Sequence, residues 1–360
     1  MRRTTWPGVT LGRRQVLLGL GAVGAFFAVD AGALAWASGR WPSRRLTQGD
    51  FVDAFRNVSG EHAGYRLNHS KGVAVTGYFD SNGNGREITT AAVFAAGRTP
   101  VTGRYSLSGG NPGVADAAGT ARGLGLAFGY PDDVQWRTAM LNLPVFPDNS
   151  PEGFRDRLLA SKPVSATGKP DPVVMDRFLT AHPETKAAMQ LINAQRPSSG
   201  FGDSTYRSLN AFYFIGPSGT RTPVRWSIEP VEPAVPAAAA QSGHNWLFDD
   251  LIRRIQSRPL AYRFLLTVGR PSDPVADATL PWPADRRVID AGTVTLTSVA
   301  SEARGNARDI NFDPTVLPDG IQVSADPLLS ARSAVYAASF RRRAADPDVP
   351  PSVDVARVTA

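Results

Sequence analysis

The chain has 360 residues, 42% of them hydrophobic and 20% charged, which suits one large globular domain or two smaller ones. It has no cysteine, which excludes disulfides, zinc–thiolate centres and iron–sulfur clusters, and only four histidines, in no metal-ligand spacing. The net charge of +7 does not describe a nucleic-acid surface: in residues 1–45, Arg2, Arg3, Arg13, Arg14, Arg40, Arg44 and Arg45 face Asp30 alone, so six of the seven excess charges are N-terminal.

That basic segment reads as a targeting sequence. Arg13 and Arg14 precede an apolar run over residues 16–29, and the small residues of Ala33-Leu34-Ala35 and Ala35-Trp36-Ala37 offer cleavage sites. The pattern resembles a twin-arginine signal, which delivers proteins already folded around a cofactor to the export machinery. The run is short for a bilayer, yet apolar residues resume at Ala31, so a cleaved signal and a membrane anchor both remain open. Residues 1–40 are therefore set apart from a folded domain over 41–360, expected in the periplasm or cell envelope.

Residues 46–57 have helical spacing, with Thr47 as cap and Phe51, Phe55 and Val58 on one side. The stretch 64–80, GYRLNHSKGVAVTGYFD, begins polar and basic and runs into a β-branched, aromatic strand at 73–79. SNGNG at 81–85 predicts a turn, and 86–94 the returning strand of a hairpin. Arg66, His69 and Lys71 thus stand where a strand enters a core. By spacing alone, His69 is either a core histidine satisfied by a carbonyl or a working group.

Residues 102–107 read as a strand on which Arg104 and Ser106, two apart, share a face. A glycine-rich loop over 108–119 leads to short strands at 123–128 and 134–143. Residues 151–164 and 170–196 look helical. A strand pair follows at 206–215 and 224–229, then a Pro/Ala linker at 231–240. An amphipathic helix at 247–256 buries Leu251, Ile252 and Ile255, and strands at 261–268 and 293–299 bring the count to about eight. This is an α+β pattern with an antiparallel sheet or barrel, and an eight-stranded barrel can enclose one ligand.

The stretch 326–343, DPLLSARSAVYAASFRRR, is capped by Asp326 with Pro327 in the first turn. Arg332, Tyr336 and Arg343 follow one helical face, while Leu328, Leu329, Val335 and Phe340 imply core packing. A guanidinium beside a buried tyrosine favours the phenolate, which is a competent iron ligand.

Two of these stretches resemble haem catalases. Arg66, His69, Ser70, Lys71 and Gly72, continued by Gly77, Tyr78 and Phe79, resemble the distal histidine segment; Arg332 and Tyr336 resemble the proximal motif. Asn311-Phe312-Asp313-Pro314, the run at 317–321 and Trp282-Pro283 add to a similarity that spans about 46–343. The resemblance implies a catalase-like fold, an antiparallel eight-stranded β-barrel with surrounding α-helices. It implies haem with Tyr336 as axial tyrosinate supported by Arg332. It further implies His69 as acid–base group, Ser106 bonded to its far nitrogen, Arg66, Arg104 and Arg343 on the propionates, and Phe146 packed near the haem.

One position departs. The family carries an asparagine that holds peroxide beside the histidine, but in Leu141-Asn142-Leu143-Pro144-Val145-Phe146 ungapped matching puts Leu141 there. Asn142 takes that catalytic role only if a bulge re-aims it. With a length short of typical catalases, this resembles the small catalase-related peroxidases, which oxidise organic donors and have little catalase activity. The expectation is a haem peroxidase using peroxide and a small organic reductant, with no nucleic-acid partner and an open oligomeric state. A hydroperoxide isomerase on the same core and a non-catalytic haem-binding protein are the alternatives. The isomerase needs no donor, and the carrier needs no His69–Ser106 pair.

Overall fold

Val73, Val75 and Phe79 bury completely on the inner face of the first strand, and that strand seeds the sheet. The computed structural model describes residues 46–130, 135–232 and 243–358, and the fold below is that of the unit Gln48–Ala360. Strand β1 (Gly72–Ser81) pairs antiparallel with β2 (Gly97–Leu107), which sets Ala74 opposite Arg104. The ladder continues through β3 (Arg122–Phe128) and β4 (Trp136–Leu141). The two-residue β5 (Tyr206–Arg207) joins β4 to β7 (Arg221–Pro230). On the other side of β1 lie β9 (Val288–Ala300) and β8 (Leu260–Val268), and the β7–β8 pairing closes the ring. Of the sheet's 10 strands, β6 (Phe212–Ile215) and β10 (Ile321–Val323) extend outside this eight-stranded barrel. Gly77 is needed for closure, because a Cβ there would lie 1.9 Å from the carbonyl oxygen of Thr295 on β9.

The barrel does not enclose the ligand site. Its interior is filled by aromatic rings: Phe79 meets Phe128 at 5.7 Å, Phe128 stacks on Trp136 at 5.0 Å, and Trp136 meets Trp226 at 5.0 Å. Period-two alternation then sends Arg104, Ser106, Gly123, Gly125, Ala139 and Leu141 to the opposite, outer face of β2–β4. Three helices cover that face: α1 (Gln48–Ser59), α2 (Pro151–Ala160) and the long C-terminal α6 (Pro327–Ala345). The helix α5 (Trp246–Ser257) buries Leu251, Ile252 and Ile255, as its spacing predicts, and Leu247 and Phe248 with them.

Three local expectations are corrected. Residues 86–94 are not a strand; short 3-10 turns occupy Asn84–Glu87 and Ala92–Phe94, and β2 is the strand that returns against β1. Gly83 turns the chain at φ 86°, and Phe94 goes into the core beneath Gly85, among Phe79, Trp136 and Phe214. The long helix at 170–196 is two, α3 (Pro172–Ala181) and α4 (Pro183–Ala194), because Pro183 forces His182 out of the helical region to ψ 72°. The strand at 206–215 breaks into β5 and β6 at Leu209, whose φ is 63°. The export segment, with its choice of signal or anchor, and most of the 231–240 linker lie outside the described residues. Among the described residues no helix is long and apolar enough to cross a membrane.

Candidate active site

One cavity, with about 1450 Å³ of atom-free space including its mouth, lies between the outer face of β2–β4 and the three covering helices. His69 reaches it by way of an unusual backbone: its φ is 57°, a left-handed conformation that costs a β-carbon-bearing residue about 1 kcal/mol or more. Clamps on both sides hold it. Asn68 Oδ1 accepts from Gly109 N at 2.8 Å, Ser70 N donates to Gly109 O at 3.0 Å, and Ser70 Oγ donates to Gly110 O at 2.7 Å. Leu67 N donates to Ser339 Oγ on α6 at 3.1 Å.

Ser106 Oγ lies 3.1 Å from His69 Nδ1, the contact that the resemblance to catalases implies. With the Nδ1 proton directed at Ser106, Nε2 is left unprotonated and able to accept. Burial, reinforced by Arg104, Arg332 and Arg66, pushes the imidazole pKa down to about 3, so the ring is neutral across the physiological range. The wall behind it carries no side chain. A Cβ at Gly123 would sit 2.9 Å from Ser106 Oγ and 3.1 Å from the His69 ring, and one at Gly125 would sit 2.9 Å from the Phe312 ring. The two glycines thus let the His69 and Phe312 rings pack directly on the β3 backbone.

At one end the cavity is strongly cationic. Arg104 makes a bidentate pair with Glu302, Nε to Oε1 at 2.7 Å and Nη2 to Oε2 at 2.8 Å. Arg66 donates to the carbonyls of Ala307, Arg308 and Ile310, stands 3.9 Å from Glu302, and lies 5.8 Å over the Phe312 ring. Arg343 Nη2 donates to Arg308 O at 2.9 Å, while its buried Nη1 has no hydrogen-bond partner among the described residues. Burial and the neighbouring guanidiniums push Arg66 well down, and burial brings Arg343 to about 10. Burial pushes Glu302 up, but Arg104, Arg66 and Arg343 outweigh it and hold the carboxyl below its ordinary range. Arg66, Arg104 and Arg343 thus outnumber the Glu302 carboxylate they share, in a poorly hydrated place.

On α6, Tyr336 and Arg332 both face the cavity, with the Arg332 guanidinium 6.0 Å from the Tyr336 ring centre. Arg332 Nη2 donates to Ala139 O at 3.0 Å, and its Nη1 donates to Asn210 Oδ1. Asn210 Nδ2 in turn donates to Asp326, the residue that caps α6, at 2.7 Å. The strand break at Leu209 brings Asn210 to this place. Asp313 Oδ2 accepts from Ser333 Oγ at 2.6 Å, tying the Asn311–Phe312 turn to the same helix.

Of the residues singled out from sequence, His69, Ser106, Arg66, Arg104, Phe146, Arg332 and Tyr336 line this cavity, and Arg343 joins the cationic cluster beside it. Phe146 stacks on Phe154 at 6.0 Å. Lys71 turns away: its Nζ forms a fully buried pair with Asp116 at 2.6 Å, and Asp116 caps the start of α5. Asn142 is the correction. No bulge re-aims it; its Oδ1 accepts from Arg122 N at 2.7 Å, extending the β3–β4 ladder away from the cavity. Leu141 pairs with Gly123 and therefore shares its face, which puts leucine on the His69 wall. Sequence reasoning missed Glu302 and Asn210, both isolated polar residues in non-repetitive chain.

A family model described as Catalase matches residues 43–348. The catalase-related peroxidase of Synechococcus elongatus is 36% identical over 301 residues, covering 83% of this chain and 89% of that protein. The catalase-related peroxidase of Mycolicibacterium paratuberculosis is 31% identical over 306 residues, covering 83% and 95%. A fungal catalase structure superimposes with a TM-score of 0.71 at 20% identity, over 79% of this chain and 60% of that one. Residues 43–348 thus carry both the His69 wall and the Tyr336 helix, and the chain belongs to the catalase family.

Proposed function

We propose that this chain is a haem peroxidase that reduces peroxide at the expense of an organic donor and has little catalase activity. The catalase family comprises haem oxidoreductases that act on peroxide. Three features suit that group: the His69 and Phe312 rings laid on the bare backbone of β3, a phenol on the helix across the cavity, and an excess of guanidiniums at one end, with an orphaned Arg343 Nη1 beside it, for carboxylates. Tyr336 would hold the iron, supported by Arg332, and Arg66, Arg104 and Arg343 would hold the propionates. When bound, haem supplies the electrons that split the peroxide bond.

The remaining chemistry belongs to the protein. Neutral His69 takes the proton of the first peroxide oxygen at Nε2 and returns it to the second, so that water leaves. Ser106 keeps the ring in the tautomer and orientation that this shuttle requires. The observation that carries the peroxidase reading is Leu141 on the His69 wall. Leucine cannot donate a hydrogen bond to hold a second peroxide, and it makes that wall apolar. On one haem-replete preparation we expect slow oxygen release from hydrogen peroxide alone and fast oxidation of phenolic dyes. Oxygen release at catalase-like rates overturns this reading.

The twin-arginine pattern supports export of the loaded protein. Replacing Arg13 and Arg14 with lysine should leave precursor in the cytoplasm, and normal export of that variant would remove the idea.

A further inference from the structure

Hydrogen peroxide needs only a narrow wet path to His69, but the cavity opens along a broad aromatic wall. Phe51 and Phe55 of α1 lie 6.2 and 6.0 Å from Phe154 of α2, and Phe146 stacks on Phe154 at 6.0 Å. One helical turn after Phe154, Arg157 lines the same cavity with its guanidinium 5.5 Å from that ring. Its orientation is fixed from behind. Nε donates to both oxygens of Asp148 at 2.9 Å, and Asp148 is fully buried and also accepts from Thr185 Oγ1 at 3.2 Å. Asp148 thus engages the guanidinium through Nε alone. Among the described residues, no protein group bonds Nη1 or Nη2, and 23% of the Arg157 side chain remains open to solvent. The neighbouring Arg155 differs, since its Nη1 is taken by Asp156.

A guanidinium held by its Nε presents the Nη1/Nη2 fork, which matches a carboxylate in two parallel hydrogen bonds. We propose that Arg157 anchors the carboxylate of an amphipathic organic substrate whose apolar body lies along the Phe51–Phe55–Phe154 wall. This rests on the peroxidase reading and names its substrate class. The carboxylate belongs either to the electron donor or to an organic hydroperoxide that replaces hydrogen peroxide, and the anchor serves both equally.

The test compares acids with their methyl esters on the holoenzyme. In one arm ferulate and methyl ferulate are donors with hydrogen peroxide. In the other, linoleic acid hydroperoxide and its methyl ester are oxidants with guaiacol as donor. A kcat/KM preference for the acid of about tenfold or more is expected in at least one arm, and that arm identifies the source. Arg157→Gln should bring the ratio close to one, and Arg157→Lys should keep part of it. Because Arg157→Gln leaves Asp148 buried without its partner, the double variant Asp148→Asn/Arg157→Gln repeats the measurement without that charge. A ratio near one in both wild-type arms, or a preference that survives the double variant, overturns the anchor. Guaiacol oxidation by hydrogen peroxide separates the two claims: with it, a flat ratio removes the anchor alone; without it, the peroxidase reading falls and takes the anchor with it.

Discussion

Leu141→Asn puts an amide donor on the wall where the resemblance to catalases leads one to expect it. Leu141 pairs with Gly123, and the Cβ position of Gly123 lies 3.1 Å from the His69 ring, so a side chain at 141 projects beside the imidazole. One oriented donor in a water-poor site is worth about 2–4 kcal/mol when fully preorganised, or roughly 30- to 1000-fold in rate. Nothing on the apolar wall buttresses the new amide, so we expect the low end, about 30-fold, in oxygen release from hydrogen peroxide. Exchanging a half-buried leucine for a polar group costs about 1–2 kcal/mol of stability, which a domain with this much buried core tolerates. The assay is an oxygen electrode beside a dye-oxidation cuvette, on wild-type and variant protein matched for haem content. The ratio of oxygen release to dye oxidation should rise. An unchanged ratio in a folded, haem-replete variant would refute the reasoning that the missing amide sets the reaction.

Tyr336→Phe keeps the ring volume and removes the phenol oxygen, and should yield folded protein with little bound haem; full haem content with an unchanged spectrum would exclude Tyr336 as ligand. His69 has a pKa near 3, so it stays neutral through the ordinary histidine range, and peroxide consumption in stopped flow should show no inflection near pH 6.5. An inflection there would mean that the ring is far better hydrated than its surroundings imply. Glu302 is held below its ordinary carboxyl value of 4.5, so its stabilising pairs are fully formed above that pH and are lost as pH falls below it. The urea-midpoint gap between wild type and Glu302→Gln should therefore be present at pH 7 and shrink below about pH 4.5; a gap constant from pH 7 to pH 3 contradicts the arginine pairing.

The legible parts of the sequence were those where local chemistry and tertiary demand agree. The helix α6 announces its start through Asp326 and Pro327, and Arg332 and Tyr336 share its face because helical spacing requires it. Strand alternation likewise placed Arg104 with Ser106. The failures lie where tertiary packing overrode local preference. The apolar residues of 86–94 read as a strand, but Phe94 is drawn into the barrel interior instead of a ladder. Asn142 was ambiguous because a single residue of register decides its facing, and register is set by the pairing of Leu141 with Gly123. Glu302 gave no periodic signal; only the convergence of Arg66, Arg104 and Arg343 from distant stretches defines its place.

The two halves of the site are not independent modules. The helix that carries Tyr336 also accepts Leu67 N at Ser339, two residues before His69, and its Arg343 shares the Arg308 carbonyl with Arg66. Asp313 binds Ser333 on that helix, and Phe312 beside it packs on Gly125 of the glycine wall. The His69 segment and the cationic end are therefore both tied to α6. That coupling explains how a left-handed His69 is sustained without glycine: its backbone strain of about 1 kcal/mol or more is set against hydrogen bonds to two separate elements, the 109–110 turn and α6. Preorganisation of this kind lets His69 sit in a conformation that local sequence preference opposes.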